Sequence, residues 1–283
     1  MTPFGFTAFQ IACAVVVVAT LATMARQRPP RVLLAEYASL AIAGFLGEET
    51  CIAGYAYYAY APGWAARLHH VPLLVPMIWP LVILSARDVV RALYPGLDGV
   101  RRAAAIAVAV TFDAVLIEVL SVRAGLWSWA EPGLLGVPGA GLLGWGFFTL
   151  GAAWALDHFK GPLARLVAVV AVAPLVTHAL ILASWWGALR WWPRVDWGTA
   201  GLLAEVAFAA ALTGFVVVAR RRGRAVGPDV WGPRAVATSV FVVLYWVVAR
   251  DQFAHGVVLA ATSVPHLATL AWRPALSPVD VVR

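Results

Sequence analysis

Apolar stretches about 20 residues long, separated by short charged turns, set the first limit on this fold. They run at about 6–24, 33–57, 71–86, 103–122, 139–156, 164–187, 198–219, 235–250 and 254–272. A helix of about 20 apolar residues crosses the roughly 30 Å hydrocarbon core of a bilayer. Backbone groups in lipid must be satisfied within the segment, so each stretch is expected to be helical. The chain is 62% hydrophobic and 12% charged, against about 25% charged in soluble domains. The expectation is therefore an all-α polytopic membrane bundle of eight or nine transmembrane helices, forming one domain over residues 1–283. The doubt over the count lies at the last junction, where Arg250, Asp251 and His255 crowd together. Crossing the membrane uses most of the length and leaves no room for a soluble catalytic domain.

The net charge is +7, and its placement decides what it means. Arg26, Arg28, Arg31, Arg87, Arg91, Arg101, Arg102, Lys160, Arg165, the cluster Arg220, Arg221, Arg222 and Arg224, and Arg234 fall between alternate pairs of spans. The other loops hold only Arg67, Arg123, Arg190, Arg194 and Arg250. That asymmetry is the positive-inside pattern and predicts an N-terminus outside. It is not a basic face with interleaved aromatics, so nucleic acid is not an expected partner. Cys13 and Cys51 fall inside apolar runs and imply no disulfide framework. The first apolar run has its charges after it, which reads as an uncleaved span.

Against this background the acids stand out. Glu48, Glu49, Asp113, Glu118 and Glu205 lie inside apolar runs, and each costs about 2.5–3.5 kcal/mol at a bilayer centre on insertion scales. With the orientation above, these five and His178 fall between mid-membrane and the outer surface, which suggests one shared cavity. Asp113 and Glu118 are about 140° apart around a helix, so one is expected to face the cavity and the other to pair across helices or with Arg123. Glu48 and Glu49 are about 100° apart, with the same consequence. Glu205 is either a cavity group or a partner for His178. Asp88 and Asp157, at the inner span ends, read as solvated. Pro72, Pro76 and Pro80 predict a kinked third span, either as plain packing or as a widened cavity wall.

Of the 14 tryptophans, Trp64, Trp127, Trp129, Trp185, Trp186, Trp191, Trp192 and Trp197 lie near span ends, where interfacial belts place them. Trp79 and Trp145 lie deeper and can offer a π face to a cation. No paired DDxxD motif for magnesium-held diphosphates occurs, nor any HxxxH or HxxHH cluster for di-iron, nor a Gly-rich nucleotide loop. His69–His70 reads as a solvated loop pair. Neither a metal nor a cofactor is expected, and acid–base chemistry remains.

Two blocks carry a resemblance. EETCIAGYAYYAYAPGWAARLHHVPLLVPMIWP, Glu48–Pro80, and FDAVLIEVLSVRAGLWSWAEPGLLGVPGAGLLGW, Phe112–Trp145, resemble the bacterial carotenoid biosynthesis proteins that include the membrane carotenoid 1,2-hydratases. The first has the acid, Tyr-x-Tyr, Val-Pro and Trp pattern; the second has the acids, Gly-x-Trp-x-Trp, Gly-Val-Pro and Gly-Trp. Coverage is roughly residues 45–150. Two departures stand out: Gly139-Ala140-Gly141 where that family has an amide, and Glu118-Val119 where it has Asp-Pro. The resemblance implies a bacterial plasma-membrane enzyme. It would protonate the terminal C=C of a long isoprenoid entering from the membrane lipid, then add water or, as in related cyclases, close a ring. A desolvated carboxyl favours its neutral form and so keeps a proton to donate. Glu48 or Glu49 and Asp113 or Glu118 are the candidate acid and counter-charge. Tyr57, Tyr60, Trp79, Trp127, Trp129, Trp145, His178 and Glu205 are the candidate substrate contacts, and Tyr57, Tyr58 and Tyr60 are read either as orienting a water or the acid or as interfacial residues. The competing readings are a proton-coupled transporter and a structural membrane subunit, in which the same acids carry ions or pair for assembly.

Overall fold

The computed structural model describes residues 3–186 and 197–270. Arg190, Trp191, Trp192 and Arg194, and the side chains of Trp185 and Trp186, lie outside the described residues. Among the described residues the chain forms helices α1 (Pro3–Ala25), α2 (Pro30–Tyr55), α3 (Leu74–Leu93), α4 (Gly99–Ala124), α5 (Gly139–His158), α6 (Pro162–Trp186), α7 (Gly198–Arg221), α8 (Pro228–Val248) and α9 (Phe253–Leu270). Four short strands, β1 (Tyr58–Tyr60), β2 (Arg67–Leu68), β3 (Val71–Pro72) and β4 (Trp127–Trp129), sit between them. Seven helices, α1 and α4 to α9, are long and apolar enough to cross a membrane. The chain is a predominantly helical, multi-pass membrane bundle of the all-α class. The other two are diluted by charge: α2 carries Arg31, Glu36, Glu48 and Glu49, and α3 carries Arg87, Asp88 and Arg91.

Local chemistry sets the ends. Proline opens α2 and α8 at the first helical position, where its missing N–H costs no bond. The Arg234 stretch therefore belongs inside α8 rather than in the loop before it. The third helix also starts later and runs further than the apolar run 71–86 suggests. Val71–Pro72 pairs with Arg67–Leu68 as a hairpin, and the helix continues through its charged end to Leu93. Of the three prolines, only Pro80 lies within the body of α3.

One apolar core draws on α1 to α6 with contributions from α8 and α9. Helix α5 packs between α4 and α6, α2 packs on α6 and α3, α1 on α8, and α7 on α9. Small residues permit the close approaches that hold helices together in lipid. A Cβ on Gly146 would fall 2.3 Å from the Thr111 hydroxyl, and one on Gly151 would fall 3.0 Å from the Val172 carbonyl. Large apolar side chains on α1, α6, α7 and α8, such as Val18, Leu175, Leu203 and Trp246, face outward, as a lipid-facing surface requires.

Asp88 and Asp157 are not solvated. Arg87 donates to Glu36 (2.9 Å) and Asp157 (2.8 Å), and Arg91 and Arg102 also reach Asp157, at 2.8 and 3.0 Å. Arg28 pairs with Asp88. The side chains of Arg87 and Glu36 are only 4% exposed, so this network ties α2, α3, α4 and α5 together at one end of the bundle.

Candidate functional site

The site begins with a sharp reversal after α4. Gly125, at φ 71°, stops the helix in the left-handed conformation that glycine adopts without a Cβ clash. The chain doubles back as β4, which pairs antiparallel with β1 in the register Tyr58↔Trp129, Ala59↔Ser128, Tyr60↔Trp127. Side chains two apart on a strand share a face. The Tyr-x-Tyr and Trp-x-Trp repeats thus set four aromatic rings on one side of a small ribbon. Tyr58 packs on Trp129 at 4.6 Å and Tyr60 on Trp127 at 5.8 Å. The ribbon lies over a cavity lined from every described helix except α7.

Two carboxylates meet this ribbon. Glu48, on α2, accepts hydrogen bonds from Tyr58, from Tyr60 at 2.8 Å and from Trp79 Nε1 at 2.9 Å. Glu118, on α4, accepts from Trp127 Nε1 at 2.8 Å, Trp129 Nε1 at 3.0 Å and Trp145 Nε1 at 2.8 Å. All six donors are neutral. No ion pair to Glu48 or Glu118 occurs among the described residues. Trp79 and Trp145, one from each set, stack at 3.9 Å with a 22° tilt, so the two carboxylates share one aromatic wall. Burial raises the phenol pKa of Tyr58 and Tyr60, which keeps both protonated. Gly141 makes room for Trp129, because a Cβ there would fall 2.7 Å from the indole.

The two sets differ in what they permit. Indole N–H groups only donate, whereas a phenol both donates and accepts. Each of the three partners of Glu118 offers a hydrogen and none can receive one. Glu48 has two hydroxyl partners that can turn to accept from a protonated carboxyl.

A second polar group lines the same cavity. Asp113 is held by Arg234, at 2.6 Å to Oδ1, and by His266 at 3.2 Å; Arg234 also donates to Ser85 at 3.0 Å. Of the two α4 acids, then, Glu118 faces the aromatic ribbon and Asp113 pairs across helices with α8 and α9. Arg123 is not its partner and donates to the Val248 carbonyl. Asp113 is charge-compensated, which removes it from the pair of equivalent candidates on α4.

Three candidates lie elsewhere. Glu49, on the adjoining face of α2, turns to His69 and His70 in the β2–β3 turn. His178 hydrogen-bonds Thr50 at 2.7 Å and Tyr55 at 2.8 Å, and does not line the cavity. Glu205 is buried on α7, away from the cavity lining. Among the described residues its Oε1 has no hydrogen-bond partner, and it does not pair with His178. The expectation of six polar groups in one chamber is corrected to three: Glu48, Asp113 and Glu118. Tyr57, Tyr60, Trp79, Trp127, Trp129 and Trp145 all line the cavity. Trp64 is also buried there and donates to the Leu126 carbonyl, so it, Trp127 and Trp129 are not belt residues.

Arg234, His266 and Ser85 were not legible as site residues. Arg234 looked like a loop cation because Pro228 and Pro233 obscure the helix start, and a lone His or Ser in an apolar run carries no spacing signal.

No family model, curated protein or solved structure matches the chain.

Proposed function

We propose that this chain is an intramembrane isoprenoid enzyme of a bacterial plasma membrane, with eight or nine spans and an external N-terminus, that protonates the terminal C=C of a carotenoid-like substrate. One observation carries the reading: two buried carboxylates, each held only by neutral donors, share a cavity walled by stacked tryptophans. Paired acids in a membrane normally have cations beside them, as Asp113 does here. Leaving two without a cation costs stability, and proton transfer is a use that repays it.

In this mechanism Glu48, as the neutral acid, gives its proton to the terminal alkene carbon. The π electrons form the C–H bond and leave a tertiary cation. The faces of Trp79 and Trp145 stabilise that cation by roughly 2 kcal/mol in a desolvated site, and the Glu118 carboxylate adds preorganised negative charge. Water then bonds to the cationic carbon and returns its proton to Glu48, giving a tertiary alcohol. No cofactor enters the balance.

Ring closure is the second reading, and one feature favours it. Ala140 and Gly141 line the cavity, and no side-chain amide does among the described residues, so the cavity lacks the amide that the resembled family places at this point of its sequence. An internal alkene would then attack instead, and the Glu48 carboxylate would take back the proton lost from the adjacent carbon, which restores the acid.

The test is expression in a lycopene-producing host, followed by mass analysis of the extracted pigment. Gain of one water supports hydration. Unchanged mass with altered retention supports cyclisation. Unchanged pigment together with pH-dependent ion flux in proteoliposomes would overturn the enzymatic reading in favour of transport.

A further inference from the structure

Apart from the cavity, the described residues contain one group of three potential metal ligands: Glu49, His69 and His70. We propose that these residues form a binding site for a divalent transition metal, zinc in the first instance, on the surface of the bundle. The assignment does not rest on the reading of the cavity.

The geometry is specific. Arg67–Leu68 pairs with Val71–Pro72, leaving His69 and His70 as the two-residue turn between them. His69 has φ 53°, a left-handed conformation that residues with a Cβ adopt uncommonly. The turn brings the two imidazoles to a centroid separation of 3.8 Å, with Nδ1 of each directed at the same Glu49 oxygen, His70 at 2.7 Å. The turn is fastened from both sides. The His70 backbone N–H donates to the other Glu49 oxygen at 3.2 Å, and Arg67 donates to the His70 carbonyl at 2.9 Å.

All three ligand atoms lie within 4.8 Å of one another. Zinc bonds imidazole nitrogen and carboxylate oxygen at about 2.0–2.2 Å, which sets tetrahedral ligand atoms roughly 3.3 Å apart. A small outward movement of flexible side chains, with no backbone change, gives a two-His, one-carboxylate set. His69 is open to solvent, which leaves an entry path and a fourth position for water. A single ion pair needs only one histidine, whereas here two imidazole nitrogens and a carboxylate oxygen are gathered closely enough for one ion to sit between them. Bound zinc would brace α2 against the turn leading into α3, one residue from Glu48 and on the path to Trp79.

The test uses the full chain in detergent, stripped with chelator, equilibrated with zinc chloride, desalted and analysed for retained metal. Wild type is expected to keep one zinc per chain, and H69A, H70A and E49Q are each expected to lower zinc affinity at least tenfold. H158A, which alters a histidine elsewhere, is expected to retain it. Gel filtration checks that each variant stays monodisperse. X-ray absorption on the wild type, which needs no variant, is expected to show a low-coordinate nitrogen and oxygen shell with two imidazoles. Wild type that holds no more zinc than the H69A/H70A double variant would overturn the proposal, as would full retention by E49Q or a shell without imidazole.

Discussion

At the residue scale, Glu118 is the group whose surroundings are least tolerant of change. Its partners are three indoles that can only donate. Glu118→Gln replaces one acceptor oxygen with an NH2 that must face at least one of them. A buried donor left without an acceptor costs about 1–3 kcal/mol. The expected outcome is a protein that still inserts, with a lower midpoint in detergent melting and no measurable pigment conversion. Glu48→Gln is gentler on the fold, because Tyr58 and Tyr60 can rotate to accept from the amide. It removes the proposed proton donor, and loss of a general acid lowers rate by about 10²–10⁴. Conversion measured in membranes is therefore expected to fall at least a hundredfold with little change in melting. Glu49→Gln separates the two neighbours: pigment conversion in the same assay is expected to continue near the wild-type rate. Spacing alone left Glu48 and Glu49 equivalent, since 100° of helix rotation does not say which side faces inward. Glu48 faces the ribbon because α2 places Gly44 and Gly47 on the same side, against Trp79 and Phe148, and that contact is invisible in a single sequence.

At the element scale, the paired ribbon of β1 and β4 decides whether the site exists. Its rings reach both carboxylates, and it depends on Gly125 for its direction and Gly141 for its space. Gly141→Ala places a methyl 2.7 Å from Trp129, and overpacking of this kind costs about 1–3 kcal/mol. Displacing the ring also withdraws one donor from Glu118. The variant is expected to lose most of its conversion while remaining folded by circular dichroism, a larger loss in rate than in stability. The helical, membrane-spanning character was readable because apolar length is a strong signal. The ribbon was not: strands of three residues leave no periodicity to count, and Tyr-x-Tyr and Trp-x-Trp near span ends look like interfacial anchors. The positions of Arg234 and of the Arg87 network were hidden for a related reason. Helix ends depend on proline placement and on ion pairs between distant segments, so Asp157 looked solvated until Arg87, Arg91 and Arg102 were seen around it.

At the scale of the whole molecule, the two ends of the bundle are built differently. One end is tied by the buried network of Arg87, Glu36 and Asp157, and the other carries the uncompensated acids. Breaking a buried pair by removing one partner costs about 3–5 kcal/mol, so Arg87→Met is expected to reduce the amount of folded protein recovered by gel filtration. The proposed orientation is open to a separate check. In a Cys13→Ala/Cys51→Ala background, Gly223→Cys is expected to be labelled by a membrane-impermeant maleimide only after the inner face is exposed. The central claim, that a side-chain proton reaches a carbon atom of an isoprenoid, has a direct measurement. Purified protein in liposomes containing lycopene, incubated in deuterium oxide, is predicted to produce a pigment carrying one carbon-bound deuterium, absent with Glu48→Gln. Converted pigment without deuterium on carbon, or the same labelling in the Glu48 variant, would contradict the account.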